Sequence, residues 1–395
     1  MKKGKTYFVL LCVFSILASF LTALDTSLKV IPIVCIYVLL CQYYRKYRTK
    51  VELKGISRII FYAYVVYCTF LIIRSILVDD NSGLLGNYIL SLFGNLEFGI
   101  LSWALPAIIL VSWENNILQS YKKICDIVVL LGVISGCLYL ASIDHSLYSR
   151  LFYLVPVVCP RLLIYNNHRY LYMLYFVFSF YYCYTEGERS ILGMEALCIL
   201  GLFFFLIFQY KMRLLKVVKL YSCVVPILGV TLTTVNLVTG DSIFTILENK
   251  YGDKSSMVQD TRTFLFRELN EDLTNTDSWL YGKGIFGTYY SQVMHNALIH
   301  KNYSDNENRL GTECGHLWLL LKGGILYAIL YILLFYVAIL KGNRSNNVFL
   351  IFLSFIMANR LLMMFISFTP SFDLLNIMIW LFMSFCIQSR FLLKK

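Results

Sequence analysis

Twelve apolar runs divide the chain, near 7–24, 28–44, 59–78, 97–113, 124–142, 151–165, 170–185, 191–209, 220–238, 317–340, 348–368 and 374–389. A hydrocarbon core of about 30 Å takes about 20 helical residues, and most of the runs approach that length. Of the 395 residues, 58% are hydrophobic and 15% charged, against about 25% charged in a soluble domain. Lipid is the solvent that fits such a surface. The expectation is an all-α polytopic membrane protein of about 12 transmembrane helices. Helices one to nine fall in 1–238, a large extracytoplasmic loop in 239–316, and helices ten to twelve in 317–395. The sixth run is short and interrupted by Pro156 and Pro160. The opening stretch is basic and then apolar, like a signal peptide. It lacks a small-x-small cleavage site, so it reads as an uncleaved first helix.

The formal charge of +12 would suit a nucleic-acid binder, but its distribution argues otherwise. With the start of the chain inside, the basic clusters all fall on one side. They are Lys2 to Lys5, Arg45 to Arg58, Lys122 and Lys123, Arg169, Lys211 to Lys219, Lys341, Arg344 and Arg390 to Lys395. The short loops of the other side hold only Arg150 and Arg189. The charge is a topology signal: a multi-pass protein of a cytoplasmic membrane with both termini cytoplasmic and no nucleic-acid partner. The 12 cysteines are scattered, mostly in apolar runs, with no CxxC and no zinc spacing. Neither a metal nor a cofactor is expected.

The loop 239–316 carries eleven acids and seven bases, so it does not follow the basic side. In it, Phe266, Leu269 and Leu273 recur at helical spacing, and Asp260 can cap the start. A short amphipathic helix on the outer membrane surface is expected.

Four features at this face could carry chemistry. Arg189 sits in "YTEGERSILG", where it either grips phosphate or carboxylate or snorkels at the interface beside Glu186 or Glu188. Arg262 and Arg267 are five apart and do not share a helical face, so at most one points at a given ligand; a solvated charge is the alternative for each. "WLYGKGIFG" places Gly282, Gly284 and Gly287 in GxGxxG order without the strand and βαβ unit a dinucleotide site needs. It reads as a flexible turn whose amides can nest an anion, with Lys283 beside it. In "GTECGHLWLLLKGGILYAIL", Glu313 and His316 share a face if the segment is helical, and either is a plausible proton acceptor or ordinary interface polarity. Gly323 and Gly324 allow close helix packing. Arg74, Arg161, Lys322 and Arg360 lie within spans, where a cation needs a cavity or a partner; Arg360, beside Asn359, is the deepest.

In this order and sidedness, "TEGERS", "DTRTFL", "LYGKGIFGTYY" and "ECGHLWLLLKGGILYAIL" resemble the O-antigen ligase and Wzy-type polysaccharide polymerase superfamily, bacterial membrane glycosyltransferases of the GT-C class. The match covers about 185–192 and 260–330. It implies a GT-C-like fold in a bacterial inner membrane and a metal-independent transfer. The donor would be an undecaprenyl-diphosphate-linked oligosaccharide, polymerised at the outer face, with a chain-length regulator and a flippase as partners. Arg189 and Arg262 match the family's functional arginines, and Arg267, Lys283 and Arg360 are added as diphosphate-binding candidates. Ligases carry His-Asn-x-x-Leu before the post-loop helix, with a glycine eleven residues after the His. Here Glu313 stands eleven before Gly324 and takes that slot, His316 follows, and "HNALI" at His295 lies too far away. This leans toward polymerase and leaves Glu313 or His316 as the base. A ligase, a lipid-linked glycan flippase, and a metal enzyme using Asp79 and Asp80 are the alternatives.

Overall fold

Backbone groups in an apolar interior must bond to one another, so apolar runs fold as helices. The computed structural model describes residues 7–23, 27–49, 53–78, 91–114, 116–141, 149–164, 169–208, 212–240, 262–293 and 308–388. They form an all-α membrane protein. Its helices are α1 (Tyr7–Ala23), α2 (Val30–Tyr47), α3 (Ile56–Val78), α4 (Ile117–Leu140), α5 (Arg169–Thr185), α6 (Arg189–Phe208), α7 (Met212–Thr239), α8 (Thr263–Asn275), α9 (Gly315–Arg344), α10 (Val348–Met363) and α11 (Leu374–Ile387). Among the described residues six stretches are long and apolar enough to cross a membrane: Ser27–Tyr47, Ile56–Ile76, Ile117–Leu140, Arg189–Phe208, Arg213–Thr239 and Gly315–Arg344. Tyr7–Thr22, Val348–Met363 and Leu374–Ile387 are shorter apolar helices.

Two expected spans are not continuous helices. The run 97–113 breaks into Ile100–Trp103, a tighter turn Leu105–Ala107, and Ile108–Val111. The run 151–165 breaks into pieces ending in Val155–Val158 and Cys159–Leu163. Proline is the physical reason: Pro106, Pro156 and Pro160 each lack an amide donor. Both broken segments are buried against other helices, the setting in which irregular backbone is tolerated at membrane depth.

Burial divides the bundle. On α3, Ile59, Tyr62, Val66, Phe70, Ile73 and Ile76 form an exposed stripe, while Tyr64, Cys68, Leu71 and Ser75 are buried on the opposite face. In contrast, every residue of α10 from Phe349 to Leu361 is buried. Helix α11 is buried except at Leu375. Helix α10 packs against α6, α7, α9 and α11, and α9 also meets α3. The helices after the long loop are therefore the centre of the molecule.

The loop helix α8 forms with Leu265, Phe266, Leu269 and Leu273 fully buried. Its expected place on the lipid surface is corrected. The apolar face covers protein: the Phe266 ring lies tilted against Phe365 with centroids 5.8 Å apart, and the Asn270 side-chain amide donates to the Leu237 carbonyl at 3.0 Å. Asp260, the expected cap, lies outside the described residues.

Helix α9 is broken at Gly324, where φ is 70° and ψ is −170°. The Gly-rich segment docks there. The amides of Lys283 and Gly284 donate to the carbonyls of Leu321 and Lys322 at 2.7 and 3.0 Å, and that of Ile325 donates to Trp279 at 2.8 Å. A Cβ on Gly282 would stand 2.6 Å from the amide nitrogens of Gly323 and Gly324. The two glycine pairs thus let two backbones interlock. The expected anion nest is corrected: its amides are already bonded, those of Lys283 and Gly284 to α9, those of Gly282 and Gly287 to the Ser278 and Gly284 carbonyls, and that of Ile285 to the Ser75 hydroxyl.

The cations within spans are explained in turn. Arg74 donates to the carbonyls of Tyr281 and Gly282 at 2.9 and 3.0 Å. Lys322, fully buried, donates to the Gly287 carbonyl at 2.9 Å and lies 4.8 Å from the Phe98 ring. Both clamp the interlock. Arg161 pairs with Asp126 at 3.4 Å. Arg360 is different, and it leads to the site.

Candidate functional site

A cavity of about 400 Å³ opens where the start of α9, the end of α10 and the start of α11 meet. Its polar wall is Glu97, Thr312, Glu313, Arg360, Thr369, Asp373 and Asn376; Phe98, Tyr153, Ile191 and Phe368 add apolar surface. Arg360 is 2% exposed. One guanidinium nitrogen, Nη2, donates to Asn376 Oδ1 at 2.8 Å and toward the Thr369 carbonyl at 3.4 Å. Its plane lies over Phe368, 4.5 Å from the ring centroid. Nε and Nη1 have no hydrogen-bond partner among the described residues. A buried donor left unmet is costly, so a guanidinium with two such nitrogens in a residue that lines the cavity is a candidate anion-binding group.

Local structure fixes this geometry. Asp373 caps α11, accepting from the Asn376 amide at 2.7 Å and from the Ser371 hydroxyl. The Asn376 side-chain amide reaches Thr369, Ser371 and Asp373 at 3.3, 3.1 and 3.2 Å. Asn376 is thereby held in place to hold Arg360. Phe368 adopts φ of 72°, unusual for an aromatic residue, in the loop after α10. That loop also caps α9: the amides of Gly315 and His316 donate to Ser367 and Met364 carbonyls at 3.3 and 3.1 Å. A side chain on Gly315 would meet the Phe368 carbonyl at 2.6 Å, so glycine is required for this approach.

Glu313 lines the cavity, its side chain about half exposed. It pairs with Arg309 at 2.5 Å, and Arg309 in turn sits opposite Tyr289 in a two-residue antiparallel pairing. The expectation that Glu313 and His316 share a helical face is corrected. Helix α9 begins at Gly315, after Glu313. His316 is 4% exposed, and its Nδ1 is 2.7 Å from the Thr233 hydroxyl on α7. It is not among the residues lining the cavity.

Arg262 is half-buried at the residue before α8. Burial pushes the nearby Cys314 thiol up to about 12, and the Arg262 guanidinium opposes that rise. Arg262 is therefore within electrostatic reach of the segment that carries Glu313. Arg189 is exposed at the first turn of α6, after Gly187 with φ of 71°. Its neighbours Glu186 and Glu188 accept hydrogen bonds from Tyr139 at 2.9 Å and Tyr153 at 3.3 Å. Tyr153 and Ile191 bring that turn to the cavity edge, although Arg189 itself does not line it.

Two diphosphate candidates are placed elsewhere. The Lys283 ammonium is taken by Asp272 at 2.5 Å, both side chains being mostly buried. Arg267 is exposed and, among the described residues, donates toward the Gly240 carbonyl at 3.5 Å. Asp79, Asp80 and His295 lie outside the described residues.

Sequence reasoning passed over Glu97, Asp373 and Asn376. Asp373 had a readable signal, a Ser-x-Asp cap directly before an apolar run. Among the described residues no group of three metal-ligating side chains comes together. Chemically, the cavity offers one buried guanidinium for an anionic oxygen and three carboxylates that accept hydrogen bonds from hydroxyls. Neither a family model, nor a curated protein, nor a solved structure matches this chain.

Proposed function

We propose that the protein is a membrane glycosyltransferase that joins lipid-diphosphate-linked oligosaccharide repeat units, undecaprenyl being the lipid, at the outer face of a bacterial cytoplasmic membrane. In this reading it has twelve crossings, a GT-C-like arrangement and both termini inside. The observation that carries the reading is Arg360: buried, fixed through one nitrogen by Asn376, without a hydrogen-bond partner on two others among the described residues, and part of the wall of a cavity that Glu313 also lines. The resemblance of the loop motifs supplies the reaction class.

The acceptor sugar hydroxyl attacks the anomeric carbon of the donor, and the bond from that carbon to the diphosphate breaks. The electron pair leaves on the diphosphate, where Arg360 and Arg262 stabilise the developing charge; one such preorganised donor is typically worth about 10²–10³ in rate. The hydroxyl proton passes to a carboxylate. Glu313 takes that role in preference to His316, because it lines the cavity within reach of Arg309, whereas His316 does not line it. Glu97 and Asp373 accept hydrogen bonds from the sugars.

The test is polymerisation by the purified protein in liposomes supplied with undecaprenyl-diphosphate-linked repeat units. A ladder of glycan lengths with release of undecaprenyl diphosphate is expected. Folded protein that returns the donor unchanged would overturn the proposal. Transfer to a lipid acceptor without a ladder would make it a ligase.

A further inference from the structure

A second cavity, of about 350 Å³, lies at the opposite end of the bundle, where α1 begins and α2 ends. We propose that it binds the phosphate headgroup of an anionic phospholipid. This proposal is independent of the catalytic reading.

The lining is Tyr7 from α1 with Leu39, Gln42, Tyr43, Arg45, Lys46 and Tyr47 from α2. It contains two cations and no carboxylate. The Lys46 ammonium is held 5.6 Å from the Tyr7 ring and 5.2 Å from the Tyr47 ring, so its charge is positioned at the mouth. Neither Arg45 nor Lys46 has a carboxylate partner among the described residues. Leu39, two turns into the bundle from Lys46, together with the tyrosine faces, provides the wall along which an acyl chain would lie. Tyrosine is suited to this boundary, with an apolar ring and a polar tip.

Two local features oppose an anion. The end of α2 carries the partial negative charge of a helix C-terminus. Behind the cavity, Glu114 is buried, but its carboxylate is occupied. Tyr43 Oη donates to it at 2.5 Å, and the amides of Tyr7 and Phe8 donate at 2.7 and 3.2 Å. Those bonds tie the first turn of α1 to the cavity floor and turn the Tyr43 hydroxyl away from the mouth. Arg45 and Lys46 outweigh the helix end, and the sequence that follows adds Arg48, Lys50 and Lys54 against one acid, Glu52. Arg48 lies over the Tyr44 ring at 5.7 Å and does not line the cavity. A cation near an anionic membrane surface contributes about 1 kcal/mol, equivalent to about fivefold in affinity.

The probe is phosphatidylglycerol, titrated onto the detergent-purified full chain and counted as bound lipid by native mass spectrometry. Phosphatidylcholine and inorganic phosphate are the comparison ligands. Phosphatidylglycerol should be retained in preference to phosphatidylcholine, and inorganic phosphate should neither bind nor compete at similar concentration. Arg45→Gln and Lys46→Gln should each weaken retention about fivefold, with Arg48→Gln unchanged. Both residues are exposed, and an unaltered melting temperature in phosphatidylcholine confirms folding. Equal retention of the two lipids, or equal loss from Arg48→Gln and Arg45→Gln, would overturn the proposal. The first outcome would leave no headgroup selectivity, and the second would leave only diffuse attraction.

Discussion

Two regions of α9 and its neighbours contain the same ingredients, cations within spans beside irregular backbone, and use them in opposite ways. At the interlock, Lys322 donates to the Gly287 carbonyl and Arg74 Nη1 to those of Tyr281 and Gly282, and glycines remove the space between the chains. At the cavity, Arg360 gives one nitrogen to Asn376, and two others have no hydrogen-bond partner among the described residues, in a side chain that lines about 400 Å³ of space. A cation bonded to backbone carbonyls acts as a fastener; one with buried donors left over is the one we propose for a ligand. The residue type does not distinguish them, but the hydrogen-bond inventory does.

The comparison breaks most readily at Gly324. Gly324→Ala places a Cβ at a left-handed φ against the Leu280 carbonyl. Strain and overpacking together should cost about 3 kcal/mol, read as a lower denaturation midpoint in detergent. Wild-type stability would show that the two backbones are free to part. Lys322→Met leaves the Gly287 carbonyl unmet and should cost about 2 kcal/mol in the same assay. Arg74→Met, at a more exposed position, should cost about 1 kcal/mol. Reversal of that order would mean that the partly exposed clamp, not the buried one, carries the interlock. Arg267→Ala sharpens the contrast from the other side. Exposed and weakly bonded, it should change stability by less than about 0.5 kcal/mol and polymer yield by less than about twofold.

These particulars show what the sequence could and could not disclose. The amphipathic pattern of 263–275 is visible in Phe266, Leu269 and Leu273, but the pattern is the same whether the apolar face meets lipid or protein; only the contact with Phe365 decides. Pro156 and Pro160 advertised a broken span, whereas a single Pro106 inside a long apolar run did not. Gly323 and Gly324 read as a packing site because nothing local specifies a positive φ; the reason for it is the Gly282 segment, about forty residues earlier. The same separation hid the site. Arg360 was legible as a cation too deep to snorkel. Its holder Asn376 and its neighbour Glu97 come from segments on either side of it in sequence, and neither belongs to a recurring spacing. Glu313 was found through its spacing to Gly324, while the assumed helical face with His316 failed because α9 starts two residues after Glu313.

The central claim is that the open guanidinium, not the clamped ones, meets the substrate. It is tested most directly by comparing polymer yield from Arg360→Gln and Arg74→Met in liposomes, each normalised to folded protein. Arg360→Gln keeps hydrogen-bonding capacity and removes charge; it should lower yield by about 10²-fold or more. Arg74→Met should leave the yield per folded molecule near that of the unaltered protein. Full yield from Arg360→Gln, or loss of yield from folded Arg74→Met, would contradict the account.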